Sequence, residues 1–185
     1  MSGKQRIHVE ILHRGANSVD PLQRSTLGLS RFHWAIMLAP KGLNKSSSCQ
    51  CFDVTDAWEL TPDGLNLNTD MDWRFRTRLS LNPLLDHKFL GGVMIGKLPK
   101  ATTAQAVEKI LLNVPLPKLG QTPQQSCVTW MRAAILALQH AGFVESKLDV
   151  DQVMMEAGAF GDDIIEKRRQ AEPELRFWNA TSRAM

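Results

Sequence analysis

Tyrosine is absent from the chain of 185 residues, and cysteine is scarce, with three residues. The lack of tyrosine excludes acid–base chemistry by a phenol group. An odd and low number of cysteines, in a sequence whose first residues show no secretion signal, favours free thiols in a reducing compartment. No apolar run approaches the roughly 18 residues that a membrane span requires. We therefore expect a cytoplasmic protein that makes no contact with a membrane.

The composition is that of one globular domain, which we expect to extend over residues 1–185. Hydrophobic residues make up 43% of the chain and charged residues 22%, so a substantial core can form. The net charge of +3 permits contact with nucleic acid without requiring it. Cys49 and Cys51 are too few and too close together for a zinc site. We expect no metal and no cofactor.

The hydrophobic pattern changes from strands to helices along the chain. Alternating or continuous apolar stretches predict strands at 6–12, 31–40, 49–58, 73–81 and 89–99. Gly91 and Gly92 in the last of these indicate a bulge or a close backbone approach. Helical spacing predicts helices at 102–114 and at 126–143, and one or two further helices from 149 towards Pro173. The segment 13–28 has the composition of a polar connector. This order predicts an α+β fold, in which C-terminal helices pack against an antiparallel sheet.

Several large side chains have the spacing of core residues. Met131, Ile135 and Leu138 recur on one face of the helix at 126–143. The tryptophans Trp34 and Trp58 could line a pocket, but their surroundings favour the core, and the same holds for Trp130.

Cys127 and His33 are the two residues with nucleophile and base chemistry. Cys127 falls in the first turn of a predicted helix, where free N–H groups stabilise a thiolate, and His33 lies in a predicted buried strand. A thiol with an imidazole is the minimum for an activated nucleophile. The alternative is an ordinary core cysteine and a hydrogen-bonded histidine. Ser126, the predicted helix cap, is an adjacent hydroxyl alternative.

Basic residues form two groups. Arg74, Arg76 and Arg78 share one face of a predicted strand, and their guanidinium groups require carboxylates, water or phosphates as partners. Phosphate binding by this group is one option, and a solvated strand face is the other. The second group is the run Lys167, Arg168 and Arg169.

An acidic cluster precedes the second basic group. Asp162 and Glu166 are four residues apart, so they share a helical face, and Asp163 lies nearby. Acids followed by bases are also what the helix dipole favours, so an ordinary solvated helix explains the pattern equally. As a site, the cluster suits a guanidinium group held by two hydrogen bonds. A divalent metal would require further ligands that the segment does not supply.

The segments FHWAIMLAP and QQSCVTWMRAAILAL together resemble a family of small fungal proteins of unannotated function. Their order, histidine before cysteine, also resembles circularly permuted papain-like folds, in which a strand histidine meets a cysteine at a helix N-terminus. This resemblance implies a thiol hydrolase or acyltransferase that requires Cys127 and His33. A binding module that uses the same fold without catalysis is the remaining alternative.

The motif DDIIE at 162–166 resembles the Asp-Asp-x-x-Glu motif of the fungal arginine-containing cyclodipeptide synthases. The resemblance implies that Asp162, Asp163 and Glu166 are needed for activity. It implies a synthase that uses arginyl-tRNA and a second aminoacyl-tRNA to make a cyclo(Arg-Xaa) diketopiperazine of secondary metabolism.

We expect the three acids of that motif to recognise the arginyl guanidinium group. We expect tRNA phosphates to bind Arg74, Arg76, Arg78, Lys167, Arg168 and Arg169. Cys127 would hold an aminoacyl intermediate, with His33 as its base.

Overall fold

A computed structural model describes residues 5–168 and 177–179 of the chain. The strands are β1 (Gln5–His13), β2 (Phe32–Pro40), β3 (Cys49–Thr55), β4 (Arg74–Leu81), β5 (Phe89–Lys97) and β6 (Phe177–Asn179). The α-helices are α1 (Ala16–Val19), α2 (Pro21–Leu27), α3 (Ala104–Leu111), α4 (Cys127–His140) and α5 (Val150–Arg168). Two short 3-10 helices lie at Gly28–Arg31 and Pro83–Leu85.

The strands form one sheet with the order β4-β3-β2-β1-β5-β6. The first five strands in this order pair antiparallel, and β6 pairs parallel to β5. A register shift between Ile11 and Leu12, opposite Phe89 and Gly91, confirms the bulge that the glycine pair predicted. The predicted α+β fold, an antiparallel sheet covered by helices of the C-terminal half, is confirmed.

The main core lies between the sheet and the long helices. In β1, Ile7, Val9 and Ile11 alternate towards this core because successive side chains of a strand point to opposite faces. The predicted stripe of α4 packs against them, with Met131, Ile135 and Leu138 fully buried. Trp34 and Trp130 are buried here too, as predicted.

A second, smaller apolar cluster covers part of the opposite face of the sheet. It consists of buried Leu12, Met37, Ala39, Cys49, Cys51 and Phe89, against which Leu43 and Leu84 pack. Cys49 and Cys51 alternate with Phe52 and Val54, which belong to the main core. Strand β3 is consequently buried on both faces.

The prediction for the segment 13–28 and the predicted end of the strand at 49–58 were wrong. The segment 13–28 contains α1 and α2 in place of a connector, because Asp20 caps the backbone N–H of Gln23 and Pro21 occupies the first turn. Strand β3 ends at Thr55, before the predicted end at residue 58. Trp58 is therefore outside the sheet and 68% exposed, where we had expected a core residue. No helix in the described ranges is long and apolar enough to span a bilayer.

Candidate active site

Cys127 is the first residue of α4, and the local sequence explains why the helix begins there. The side chain of Ser126 accepts hydrogen bonds from the helix N-terminus, including the N–H of Val128, while the hydroxyl of Thr129 accepts from the N–H of Ser126. This capping box fixes the first turn. The thiol is held at the positive end of the helix dipole and is 2% exposed. The hydroxyl of Ser126, the alternative nucleophile, is engaged in capping.

His33 lies beside this thiol, in a part of β2 that is not paired with β3. The pairs between the two strands are Ile36–Phe52, Met37–Cys51 and Leu38–Gln50, so the ladder stops three residues after His33. The imidazole forms a side-chain hydrogen bond with Asp53 of β3, and it lies close enough to the thiol of Cys127 on α4 for the two groups to interact. The structure therefore brings together the two residues that the sequence singled out.

Asp53 is the third member of the group, and it is completely buried. His33 Nε2 lies 3.2 Å from Asp53 Oδ2, and a carboxylate can only accept, so Nε2 carries the hydrogen. This order of carboxylate, imidazole and nucleophile is that of a catalytic triad.

The charges of this group reinforce one another. Burial alone would lower the pKa of His33, but the interactions with Asp53 and Cys127 outweigh it and raise that pKa to about 9. Burial would likewise raise the pKa of Asp53, but hydrogen bonds from His33 and Arg76 hold it well below its usual range. At neutral pH the group contains an imidazolium and a carboxylate. Cys127 Sγ therefore lies beside a positively charged imidazolium, at the N-terminal end of α4.

Two arginines hold the carboxylate of Asp53 in place. Arg76 donates from Nε and from its terminal nitrogen to the two oxygens of Asp53, each at 2.9 Å. Arg78 Nε lies 3.3 Å from Asp53 Oδ2, and its terminal nitrogen lies 3.0 Å from Glu10 Oε2. A bidentate guanidinium contact fixes the carboxylate plane. Asp53 is thereby oriented towards His33.

The three strand arginines thus have carboxylate partners within the chain. Arg74 Nε lies 3.1 Å from Glu59 Oε2, and the other two contact Asp53 and Glu10. The sequence left carboxylates, water and phosphates open as partners, and the structure supplies carboxylates. Binding of tRNA phosphates by Arg74, Arg76 and Arg78 stays a prediction.

The other two thiols differ from Cys127 in their environment. Burial raises the pKa of Cys49 to about 11. Burial, together with the neighbouring carboxylate of Glu10, raises the pKa of Cys51. Both side chains belong to the second apolar cluster. They are structural residues by their surroundings, because the thiolate form is strongly disfavoured there.

The acidic cluster of α5 has contacts of its own. Asp162 accepts two hydrogen bonds from Arg31, from Nε at 3.0 Å and from its terminal nitrogen at 2.7 Å, and Arg24 lies 2.9 Å from the same carboxylate. Asp163 pairs with Lys167 at 2.6 Å, one helical turn away. Asp162 therefore binds guanidinium groups, as its chemistry predicted, but the groups are those of the chain itself and tie α5 to the segment before β2.

The remaining predicted site residues are exposed or beyond the described part. Glu166 and Lys167 are exposed on α5. Arg168 is the last residue of α5, and Arg169 lies outside the described residues. Among the described residues, no group of three His, Cys, Asp or Glu side chains is placed to hold a metal ion.

Sequence reasoning missed Asp53 and Arg31. Asp53 stands in the stretch CQCFDVT, where an acid in an otherwise apolar strand buried on both faces is a signal of a buried charge that needs a partner. Its partners, His33 and Arg76, are 20 and 23 residues away, and only the sheet register brings them together. Arg31 carries no comparable signal, because it is the first residue of the predicted strand at 31–40, where a charged side chain can still reach solvent.

Fold and site together define an α+β protein with a Cys–His–Asp group at a helix N-terminus. A family of unknown function, DUF6914, matches residues 4–181, and the chain belongs to that family. Searches of curated proteins and of solved structures gave no match.

Proposed function

We propose that the protein is a thiol-dependent acyltransferase or hydrolase, with Cys127 as nucleophile, His33 as base and Asp53 as the residue that orients the imidazole. The observation that carries this proposal is the hydrogen bond between Asp53 and His33 beside Cys127, with the thiol on the first residue of α4. The histidine-before-cysteine resemblance to permuted papain-like folds supports it.

In the first half of the reaction the thiolate of Cys127 attacks the carbonyl carbon of an ester, thioester or amide. A C–S bond forms, and the carbonyl oxygen takes the negative charge. The N–H of Cys127 is at the first position of the helix, where no carbonyl within the helix can accept it, so we propose it as a donor to that oxygen. The bond to the leaving group then breaks, and the leaving group takes the proton of His33.

In the second half water or an amine attacks the thioester. His33, now neutral, accepts the proton of the attacking group, and the thiolate of Cys127 leaves. Asp53 keeps the same ring orientation in both halves, because Arg76 and Arg78 fix its carboxylate. Water as acceptor gives a hydrolase, and an amine gives an acyltransferase.

Access to the thiol sets a condition on this chemistry. Cys127 is 2% exposed, while the side chain of His33 retains 20% exposure. An acyl group must approach from the side of the imidazole, and neighbouring side chains must move for it to reach Sγ. If the protein is instead a binding module without catalysis, the thiol of Cys127 would stay buried.

Cyclodipeptide synthesis is a special case of this chemistry, and it stays a prediction from the Asp-Asp-x-x-Glu resemblance. The acyl donor would be arginyl-tRNA, whose ester is already activated, and the acceptor would be the amine of the second amino acid. The carboxylate of Asp162 would have to exchange Arg31 and Arg24 for the substrate. Supplying the protein with arginine, amino acids, tRNA and synthetases tests this case by release of a diketopiperazine.

The general proposal is tested with 4-nitrophenyl acetate and intact-protein mass spectrometry after acid quenching. An acetyl adduct is expected on wild-type protein and on Cys49→Ala, and its absence is expected on Cys127→Ala. His33→Gln should form the adduct more slowly by about a hundredfold or more. A wild-type protein without an adduct on Cys127, or an equal adduct rate in His33→Gln, would overturn the proposal.

A further inference from the structure

The connection between β3 and β4 covers residues 56–73. Its residues before Trp73 form an ordered segment that we call the 56–72 loop. Leu60 and Asn66 form an antiparallel bridge, and the N–H groups of Thr61 and Leu67 bind the carbonyls of Leu65 and Glu59. The amide of Asn68 donates to carbonyls at both ends of the loop. The backbone of this loop is thus fixed by its own hydrogen bonds.

This ordered loop presents large apolar side chains to solvent. Its exposed apolar side chains are Trp58, Leu60, Leu65, Leu67 and Met71, each more than half exposed. Met71 has a φ of 54°, a left-handed conformation that is unfavourable for a residue with a side chain. Five large apolar side chains exposed on one short segment are unusual for a soluble protein and typical of an interaction surface.

The charge of the loop has one sign. It contains five acidic residues, Asp56, Glu59, Asp63, Asp70 and Asp72, and no lysine or arginine, whereas the whole chain carries +3. The carboxylate of Glu59 is partly neutralised by Arg74 at 3.1 Å. A partner that buries the apolar side chains therefore gains further if it carries positive charge.

The loop adjoins the candidate active site at both of its ends. It begins after Thr55, two residues beyond Asp53, and it leads into Arg74, two residues before Arg76. Arg76 and Asp53 are joined by two hydrogen bonds, and Arg74 donates to the carbonyl of Ala57 inside the loop. A molecule that rests on the loop is thus bound next to the strand segments that carry Asp53 and Arg76.

We propose that the 56–72 loop is the docking surface for a polypeptide substrate whose segment next to the reacting group combines apolar and basic side chains. This inference rests on the proposed acyl transfer at Cys127 and names its substrate class. Apolar side chains of the substrate pack on Trp58 and Leu60, and its lysines or arginines pair with the loop carboxylates.

Charge decides against the other occupants of such a surface. Phosphates of tRNA and anionic lipid headgroups are repelled by five carboxylates on the loop, and the repulsion acts over about 10 Å at 0.1 M salt. An apolar membrane surface would also have to desolvate those carboxylates. A polypeptide with basic and apolar side chains complements both the negative charge and the exposed apolar side chains of the loop.

The binding experiment uses Cys127→Ala protein and fluorescein-labelled peptides, read by fluorescence anisotropy. The probe peptide contains leucine and lysine, and its two counterparts replace lysine by glutamate or leucine by serine. We expect the leucine–lysine peptide to bind at least about tenfold more tightly than either counterpart. Trp58→Ser with Leu60→Ser should remove this preference, and Asp63→Asn with Asp70→Asn should weaken it, more at low salt than at high salt.

Matched controls are an exposed leucine and an exposed acid elsewhere. Leu22→Ser in α2 and Glu145→Gln should leave peptide binding unchanged, because both side chains are exposed away from the loop. Equal binding of the three peptides, or a preference that survives the loop substitutions, would overturn the proposal. It is also overturned if the loop substitutions instead abolish binding of tRNA or of phosphatidylserine vesicles, or convert a dimer to a monomer in sedimentation.

A second experiment, on the acylation of Cys127, distinguishes this inference from the proposed function. Wild-type protein is mixed with thioesters of the same three peptides and with 4-nitrophenyl acetate. The loop substitutions should slow acylation by the leucine–lysine thioester and leave acetylation by 4-nitrophenyl acetate unchanged. If no reagent acylates Cys127, the acyl-transfer proposal fails, while peptide binding by Cys127→Ala still decides whether the loop is a docking surface.

Discussion

His33 Nε2 lies 3.2 Å from Oδ2 of Asp53, a carboxylate that is completely buried. The pair joins β2 to β3 at the point where the two strands are no longer hydrogen-bonded to each other. The contact therefore combines two roles. It replaces ladder hydrogen bonds that are missing from the sheet, and it orients the imidazole towards Cys127.

The first prediction concerns the substitution Asp53→Asn. We expect it to lower the free energy of unfolding by about 3–5 kcal/mol, because Arg76, Arg78 and His33 would keep their charges around a neutral amide. Urea denaturation measures this change, and Asp63→Asn, a fully exposed acid, is the control. The variant should also lower the pKa of His33 in an NMR titration. An unchanged midpoint in urea would show that the pair does not stabilise the fold.

The second prediction is a pH dependence of stability that arises from His33. Its pKa is about 9 in the folded protein and 6.5 in an unfolded chain. Between these values the folded state keeps a proton that the unfolded state has lost, so the contribution is complete below pH 6.5 and disappears as the pH rises through 9. We expect a loss of about 1–3 kcal/mol over this window. Denaturant titrations from pH 6 to pH 10 measure it, and His33→Gln should flatten the profile by that amount.

The third prediction is that the three thiols react at different rates with iodoacetamide. With a pKa of about 11, Cys49 is a thiolate in about one molecule in ten thousand at pH 7. Burial and Glu10 also disfavour the thiolate of Cys51, whereas Cys127 lies beside the imidazole of His33 at the N-terminus of α4. Peptide mapping after timed labelling should show Cys127 modified first, and His33→Gln should slow that modification.

Labelling also distinguishes the catalytic proposal from a binding scaffold. If Cys127 reacts no faster than Cys49 in the folded protein, its burial dominates over its charge environment. The thiol would then be a core residue, as the alternative sequence interpretation held. Labelling in urea provides the reference, because all three thiols are equally accessible in the unfolded chain.

Local patterns in the sequence predicted the helices and strands. They could not predict which distant residues contact each other, because tertiary packing determines those contacts. The alternation of Ile7, Val9 and Ile11 gave the face of β1 directly, and Ser126 before an apolar stripe gave the start of α4. By contrast, the partner of Asp53 depends on sheet register, which is a property of three strands at once. Trp58 shows a second limit of sequence reasoning. An apolar residue next to a strand has no local feature that tells whether it belongs to the core or to an exposed loop.

The acids of α5 illustrate the same limit at longer range. Spacing alone placed Asp162 and Glu166 on one helical face, and chemistry suggested a guanidinium partner. The partner in the structure is Arg31, 131 residues earlier in the chain, held by two hydrogen bonds. No local pattern contains a contact of that separation, so sequence reasoning assigned the guanidinium to a substrate.

The fourth prediction separates a structural from a substrate-binding role for these acids. The side chains of Asp162 and Arg31 are 30% and 13% exposed, and charge-assisted, bidentate contacts of this kind contribute about 1–3 kcal/mol. We expect Asp162→Asn to lower the free energy of unfolding by that amount. Asp163→Asn should change it by less than about 0.5 kcal/mol, because Asp163 and Lys167 form an exposed pair.

Urea denaturation of both variants and of Arg31→Gln, alone and combined with Asp162→Asn, measures the coupling of Asp162 to Arg31. If the double variant loses no more than the larger of the single variants, the pair acts as one structural unit. Additive losses would mean that Asp162 stabilises the fold independently of Arg31, and a loss of arginyl-tRNA turnover in Asp163→Asn at unchanged stability would instead support the synthase prediction.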